Sequence, residues 1–335
     1  MIKSYSRLKK QNKEHFRIPR NAQDIVGVDT VYKDGIFKIG NRFSKSYRFL
    51  DVNYSIASKE KKTNLFLDYG ELLNSLDSST VTKISINNRK IDLKQFKEDI
   101  LIPMQNDRID VYRKEYNEML LEKIAESDDI MQEKYITITV FRNKVEDARS
   151  FFSRCTSELN SHFSKLGSGC CELNAYERLK ILHDFYRSGE EENFYFDIHD
   201  FAKKGYSFKD AVCPVDPSFK HNYFKLDNRY GRVLYLSNYA RFIKDDFVSE
   251  LCELNKNMMY SMDIIGIPTD EAVKEIENKL LGVNTNITNW QRRQNANNNF
   301  SAVIPYDMEL QREECKEFLD DLTVRDQRMM LSCIT

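Results

Sequence analysis

The side chains best suited to chemistry form two short clusters that pair imidazole with carboxylate. One is His183-Asp184 and the other is Asp197-Ile198-His199-Asp200. Such groups bind a transition metal when they converge on one point. Asp197 follows Asp184 by 13 positions, and this spacing matches no recognised ligand pattern. We therefore predict no metal site, and an enzymatic role for His183, Asp184, Asp197 and His199 requires the fold to bring them together.

Motifs for nucleotide and acyl-transfer chemistry do not occur in the sequence. It contains no G-x-x-x-x-G-K-[ST] P-loop, no G-x-G-x-x-G dinucleotide fingerprint and no G-x-S-x-G nucleophile elbow. The seven cysteines are odd in number and scattered, which is typical of reduced thiols in a cytosol. Cys170 and Cys171 are adjacent without a C-x-x-C partner, so the zinc signal is weak. We predict no catalytic or cofactor-binding residues in this chain.

Basic and aromatic side chains at two places are candidates for binding a partner. The first twenty residues carry seven Lys or Arg against one Glu, which favours either a solvated tail or contact with phosphate or lipid headgroups. The only tryptophan lies close to two arginines, and these residue types are enriched at interface hot spots. The alternative is an indole packed in the core at a helix end. The predicted partner-binding residues are Trp290, Arg292, Arg293, Lys9, Lys10, Arg17 and Arg20.

A second binding pattern covers residues 229–235, Arg-Tyr-Gly-Arg-Val-Leu-Tyr. It partly echoes RNA-recognition strands, in which aromatic rings on an open sheet stack on bases. The order of basic, glycine and aromatic residues departs from that pattern. The segment therefore favours a turn at Gly231 followed by a core strand, with nucleic-acid binding through Tyr230 and Tyr235 as the alternative.

The bulk composition is that of a globular protein with almost no net charge and therefore a weak overall electrostatic field. The chain has 335 residues, for which two domains are the natural expectation. Its formal net charge of -1 creates no overall attraction for nucleic acid or an anionic membrane. No apolar run approaches the roughly 18 residues needed to cross a bilayer.

Hydrophobic periodicity predicts alternating strands and helices, with a hairpin turn at Lys33-Asp34-Gly35. Asn143, with Glu146 three residues later, has the pattern of a capping box. The predicted strands are Asp24–Tyr32, Ile36–Ile39, Ser46–Leu50, Thr80–Ile86, Tyr135–Phe141, Tyr223–Leu226, Val233–Leu236, Met259–Ile267 and one beginning at Met329. The predicted helices cover residues 58–76, 107–126, 144–166, 176–186, 245–254, a stretch opening at Pro268, and 307–327.

A seven-residue phrase occurs twice, and similar elements follow each copy. Phe37-Lys-Ile-Gly-Asn-Arg-Phe43 returns as Phe224-Lys-Leu-Asp-Asn-Arg-Tyr230. This repetition predicts an α+β fold of two related units of short antiparallel strands and helices, for which a ferredoxin-like arrangement is a candidate. The expected organisation is a basic tail (1–22), a first unit (23–175), a connecting segment (176–220) and a second unit (221–335) cut at its last strand.

Several segments resemble the conjugal-transfer ATPases of type IV secretion systems, in the broader CagE/TrbE-type family. The most similar branch is carried by integrative conjugative elements of Gram-positive gut bacteria, and the resemblance runs from about Ile18 to Thr335. The segments that carry it are 284–300, 302–307 and 317–330, with shorter agreement at 18–20, 32–38, 72–77, 113–120 and 183–187.

The resemblance implies a role in docking and assembly. In that family the N-terminal region docks to inner-membrane parts of the secretion channel, and a C-terminal P-loop domain binds ATP and Mg²⁺. Only the N-terminal region finds a counterpart in this sequence, so we expect no cofactor here and expect ATP and Mg²⁺ only in the P-loop domain. The expected partners are the channel components and further copies of the ATPase, at the cytoplasmic face of the membrane.

Overall fold

The computed structural model describes residue 19 and the ranges 21–52, 56–90, 100–126, 130–239, 246–254, 256–300 and 303–335, with residues 54 and 98. Nine α-helices lie in these residues. They are α1 (Lys59–Ser75), α2 (Asp110–Glu126), α3 (Val145–Lys165), α4 (Ala175–Tyr186), α5 (Ile198–Lys204), α6 (Phe208–Val212), α7 (Asp246–Cys252), α8 (Thr269–Ala296) and α9 (Tyr306–Thr323).

The same residues contain eleven strands, so the predicted α+β class is confirmed. They are β1 (Thr30–Val31), β2 (Phe37–Ile39), β3 (Arg42–Phe49), β4 (Thr80–Lys90), β5 (Ile130–Phe141), β6 (Cys170–Glu172), β7 (Pro217–Phe219), β8 (Phe224–Leu226), β9 (Arg229–Gly231), β10 (Met258–Gly266) and β11 (Met330–Ile334).

Two sheets organise these strands. The larger has the order β1-β2-β3-β5-β4-β10-β11, with β6 also paired to β3. Within it, β3 and β5 pair antiparallel from Arg42↔Phe141 to Phe49↔Lys134. The smaller sheet has the order β7-β8-β9 and is antiparallel throughout.

The core of the larger sheet is covered by α3. This helix buries one stripe that includes Phe152, Leu159 and Phe163, as its 3.6-residue period predicts. Phe163 stacks on Phe49 of β3 with ring centroids 5.2 Å apart. Cys155 is buried on the same face, and all seven cysteines are free.

A second core lies under the N-terminal strands. It gathers residues from the first turn, from β2 and from α4 and α6, and the buried members are Val26, Val28, Phe37, Leu179, Val212 and Cys213. Asn174 starts α4 with a capping box, because its side chain accepts from the Glu177 N–H and Glu177 accepts in return. This position was not predicted as a cap.

The chain consists of two compact units, each built from segments that are separate in sequence. The larger contains the described residues between 19 and 72 and between 81 and 263, with 333–335, and the smaller contains 73–80 and the described residues between 264 and 332. In the smaller unit, the Ile267 N–H donates to the Met329 carbonyl across 2.9 Å. The chain therefore leaves β10 and returns to β11 at adjacent points.

Three local predictions need correction. The N-cap of α3 is Lys144, without a side-chain cap, because the chain stays extended through that residue and Asn143 lies one position too early. Residues 233–236 form no strand, and Val233 and Leu234 are exposed. Most of 24–32 is irregular, with a strand only at Thr30–Val31.

The two copies of the repeated phrase do not give two equivalent sheets. β2 and β3, from the first copy, belong to the large sheet, and β10 and β11 extend that same sheet. β8 and β9, from the second copy, pair with each other, and β8 also pairs with β7 in the smaller sheet. Local similarity therefore coexists with different tertiary pairing.

Candidate functional site

A long helical hairpin makes up most of the smaller unit. α8 has 28 residues and α9 has 18, so at 1.5 Å per residue they are about 42 Å and 27 Å long. Half-buried or buried side chains of α8 recur at 276, 280, 283, 287, 290 and 294. Alternating steps of four and three residues are the seam of two antiparallel packed helices.

The tryptophan region combines a half-buried indole with exposed guanidinium groups. Trp290 is half-buried and occupies the seam that buries Val283 and Ile287. Arg292 and Arg293 are exposed in the last turns of α8, where positive charge is favoured by the helix dipole. The indole therefore stabilises the hairpin near its closed end, and the two guanidinium groups are available to a partner.

The closed end of this hairpin also exposes large apolar side chains. Phe300, Val303 and Tyr306 are 76%, 86% and 76% exposed. These residues follow α8 and begin α9, so they lie at the same end of the hairpin as Arg292 and Arg293. We call these five residues the hairpin tip. A mixed apolar and cationic surface of this kind is typical of protein interfaces. The other predicted partner residues, Lys9, Lys10, Arg17 and Arg20, lie outside the described residues.

The three-stranded sheet places a second set of aromatic side chains at the surface. Tyr230 is 73% exposed and Tyr235 is 72% exposed. The Tyr230 ring lies 5.7 Å from the Tyr223 ring, and Tyr230 pairs across the ladder with Lys225. Exposed Arg229 and Arg232 lie on either side of Tyr230 and Gly231, so aromatic and basic groups alternate along this edge.

The two imidazole–carboxylate clusters take separate structural roles. His183 and Asp184 are buried on α4. Asp197 instead caps α5 by accepting from the His199 and Asp200 N–H groups. Within the described ranges, no three His, Cys, Asp or Glu side chains are placed to hold a metal ion.

Asp184 belongs to a buried ionic network that sequence reasoning missed. Arg89 on β4 donates from Nε to Glu133 Oε2 at 2.7 Å, and its Nη1 lies 3.5 Å from Asp184 Oδ2. The second contact is an ion pair without hydrogen-bond geometry, because Nη1 has no hydrogen-bond partner. The Tyr135 hydroxyl also donates to Glu133 Oε2. The network ties β4, β5 and α4 together.

Burial and neighbouring charges shift the pKa values of Glu133 and Arg89 in opposite directions. Burial acts to raise the pKa of Glu133, but the Arg89 hydrogen bond and charge, with the Tyr135 hydroxyl and Arg48, bring that pKa below its usual value. Burial likewise acts to lower the pKa of Arg89, and Glu133 and Asp184 raise it overall. The arrangement holds its charges fixed near neutral pH and supports a structural role.

Arg178 is a second buried charge that the sequence did not reveal. It donates to the Gly35 and Ser44 carbonyls at 2.7 Å each, and its guanidinium lies 3.9 Å from the centre of the Phe37 ring. Burial lowers the pKa of Arg178 to about 9, so the group stays protonated at neutral pH. An arginine within an otherwise apolar helix stripe was the available signal.

Comparisons with known proteins found no match to a protein-family model and no significant match among curated proteins. Among the described helices, none is long and apolar enough to cross a membrane.

Proposed function

We propose that this chain is a non-catalytic docking and assembly region of a type IV secretion ATPase that serves conjugative DNA transfer. The proposal rests first on the segments that resemble that family, which extend over most of the chain. It places the chain at the cytoplasmic face of the membrane, next to inner-membrane channel components, in an oligomer of the ATPase. ATP hydrolysis would belong to a P-loop domain, whose sequence motif this chain does not contain.

The observation that carries the docking role is the hairpin tip. It combines exposed Phe300, Val303 and Tyr306 with exposed Arg292 and Arg293. The same residues fall within or beside segments 284–300 and 302–307, which carry the family resemblance. Exposed apolar groups beside arginine are costly to leave in water and favourable to bury against a partner.

A mating assay tests the function itself. Deleting the gene from the conjugative element that encodes it should abolish transfer, and the wild-type gene supplied in trans should restore it. A deletion strain that transfers normally would contradict the proposal. Purified residues 1–335 that hydrolyse ATP would contradict the non-catalytic part.

The docking surface is tested separately with Arg292→Glu/Arg293→Glu, compared with Lys316→Glu/Lys274→Glu on the same hairpin. Both pairs are exposed or half-exposed and reverse two charges, so net charge changes equally. We expect the tip pair alone to lower transfer at equal protein levels. Equal transfer by the two variants would remove the tip from the interface.

A second candidate function, nucleic-acid binding by the three-stranded sheet, is favoured by one specific observation. Tyr223 and Tyr230 form an exposed ring pair beside Arg229 and Arg232. Stacking on such rings is worth about 1–3 kcal/mol per base. Single-stranded oligonucleotide binding should then weaken steeply with salt and fall in Tyr230→Ala. An absence of binding at low salt would exclude it.

A further inference from the structure

The larger unit contains an apolar cavity that no function discussed so far uses. Its volume is about 370 Å³, within the roughly 300–1,000 Å³ typical of small-molecule sites. It lies between α1, the end of α3 and the strands β3, β4 and β5. The lining residues are Phe49, Leu50, Asp51, Val52, Tyr54, Leu65, Phe66, Tyr69, Leu72, Ile84, Ile136, Phe163 and Leu166.

The floor of this cavity is rigid core and its rim is exposed. Leu72, Ile136 and Phe163 are buried, with Leu72 and Ile136 only 1% exposed. At the rim, Phe66 and Leu50 remain largely exposed to water. Burying such side chains is favourable, because it removes apolar surface from water. An apolar occupant would bury part of this surface.

A cationic side chain marks one end of the cavity. Lys62 precedes Leu65 and Phe66 by one turn of α1, so it shares their face of the helix. Its Nζ lies 5.0 Å from the centre of the Tyr54 ring, which also lines the cavity. Lys59, one turn earlier, continues the same stripe. Among the described residues no carboxylate lies within ion-pair distance of Lys59 or Lys62, although Glu60 occupies the adjacent face.

Two carboxylates at or beside the cavity are already paired with lysines. Asp51, which lines it, forms an ion pair with Lys134. Glu71 on α1 forms one with Lys165 at 3.3 Å. The cavity therefore has the Lys62 ammonium group beside Tyr54 at one end and a largely apolar interior.

From this juxtaposition we propose that the cavity binds a single aliphatic chain with an anionic head group, the head lying against Lys62 and the chain running towards Leu72. The chemistry fits a fatty-acid carboxylate or the acyl chain of an anionic lipid. The proposal is independent of the docking role, since it concerns a different unit and different residues.

Isothermal titration calorimetry with decanoate, dodecanoate and tetradecanoate, each below its micellar concentration, tests whether the cavity binds the aliphatic part of the ligand. Burial of two more methylenes should tighten binding roughly 15-fold per step until the cavity is full. Leu65→Ser, inside the cavity, should weaken dodecanoate binding. Leu67→Ser, its exposed neighbour that does not line the cavity, should not.

The head group is tested with substitutions outside the buried core, at half-buried Lys62 and at exposed Lys204. Lys62→Glu should weaken dodecanoate about fivefold and leave dodecanol unchanged, and Lys204→Glu on α5 should change neither. Circular dichroism confirms folding of every variant. Absence of saturable binding for all three acids would overturn the proposal, as would equal effects of Leu65→Ser and Leu67→Ser. Equal binding of dodecanoate and dodecanol would overturn the anionic head.

Vesicles distinguish the two sources of the ligand. Co-sedimentation with phosphatidylglycerol vesicles, lost in both Leu65→Ser and Lys62→Glu, identifies a membrane lipid. Dodecanoate binding without co-sedimentation identifies a free fatty acid. Co-sedimentation that both variants retain, without dodecanoate binding, contradicts the cavity as the site.

Discussion

Two hairpins of this chain share four of seven residues and the same register but differ in burial. In the first, Ile39 pairs with Arg42 and Phe37 with Ser44 around Gly40-Asn41. In the second, Leu226 pairs with Arg229 and Phe224 with Gly231 around Asp227-Asn228. Both turns place their first central residue in the left-handed region, with φ of 59° at Gly40 and 50° at Asp227. The phrase therefore specifies the same local structure twice.

The two hairpins differ in how deeply they are buried. Phe43 is 1% exposed within the large sheet, whereas Tyr230 at the equivalent position is 73% exposed. The first hairpin continues into an eight-residue strand that pairs with β5, and Arg178 holds it from α4. The second continues into an irregular segment. A short phrase can thus determine a turn, but the flanking chain determines whether that turn becomes core or surface.

Truncating the two equivalent aromatic residues should give the largest contrast. Phe43→Ala removes a buried ring and should cost about 3–5 kcal/mol of unfolding free energy. Tyr230→Ala should stay within about 0.5 kcal/mol. Urea unfolding monitored by circular dichroism measures both. Similar losses would mean that the second hairpin is buried in solution.

Removing the arginine clamp should have the next largest effect. Arg178→Met keeps the aliphatic stem but leaves the Gly35 and Ser44 carbonyls unpaired, at about 1–3 kcal/mol for each unsatisfied group. The matched change at the second hairpin is Arg232→Met, whose exposed Nε donates to the Asn222 carbonyl. We expect almost no change there, and comparable destabilisation of the two variants would refute the asymmetry.

Substituting the turn glycine tests whether the two turns are interchangeable. Gly40→Ala forces a Cβ into left-handed backbone and should cost about 1–2 kcal/mol. Gly40→Asn should cost less, because asparagine adopts this region more readily. Asn41→Ala serves as the control within the same turn. Thermal unfolding of the three variants would contradict this account if Asn were no better than Ala.

Acid should weaken the sheet that holds the first hairpin. Arg48 of β3 lies 3.9 Å from Glu133, whose pKa is lowered in the folded protein. Its contribution is therefore present above the unfolded pKa of about 4.3 and is lost as the pH falls through the folded pKa. One such group changes stability by at most about 1.4 kcal/mol per pH unit. Between pH 6 and 3.5, the free energy of unfolding measured with urea should fall less steeply with decreasing pH for Glu133→Gln than for the wild type. Equal slopes for the two proteins would exclude this role.

Local patterns predicted the elements well and their pairing poorly. The helical periods of α1 and α3 and the glycine turn before β2 are local signals, and each element appears where its pattern places it, although Leu72 is the one buried residue of α1. The position of β4 between β5 and β10 depends on contacts between distant residues, which leave no periodic trace. Asn143 and Asn174 offer the same capping pattern, and only backbone geometry distinguishes them.

In the candidate sites, too, local features were predictable from the sequence and features that depend on distant contacts were not. The residue types near Trp290 indicated a surface feature, and Arg292 and Arg293 are indeed exposed. The half-burial of Trp290 depends on the second helix of the hairpin, which a local window does not include. The cavity was invisible in the sequence, because its walls come from five elements far apart in the chain.

The α8–α9 hairpin also bears on how the chain folds. Its helices form from local contacts, which typically order early and fast. Once formed, they bring the end of β10 next to the start of β11, so a connection of more than sixty residues behaves as a short one. Most of the entropy cost of closing that loop is therefore incurred when the helical hairpin forms. Shortening both helices by matched turns should therefore leave the refolding rate of this strand pair nearly unchanged.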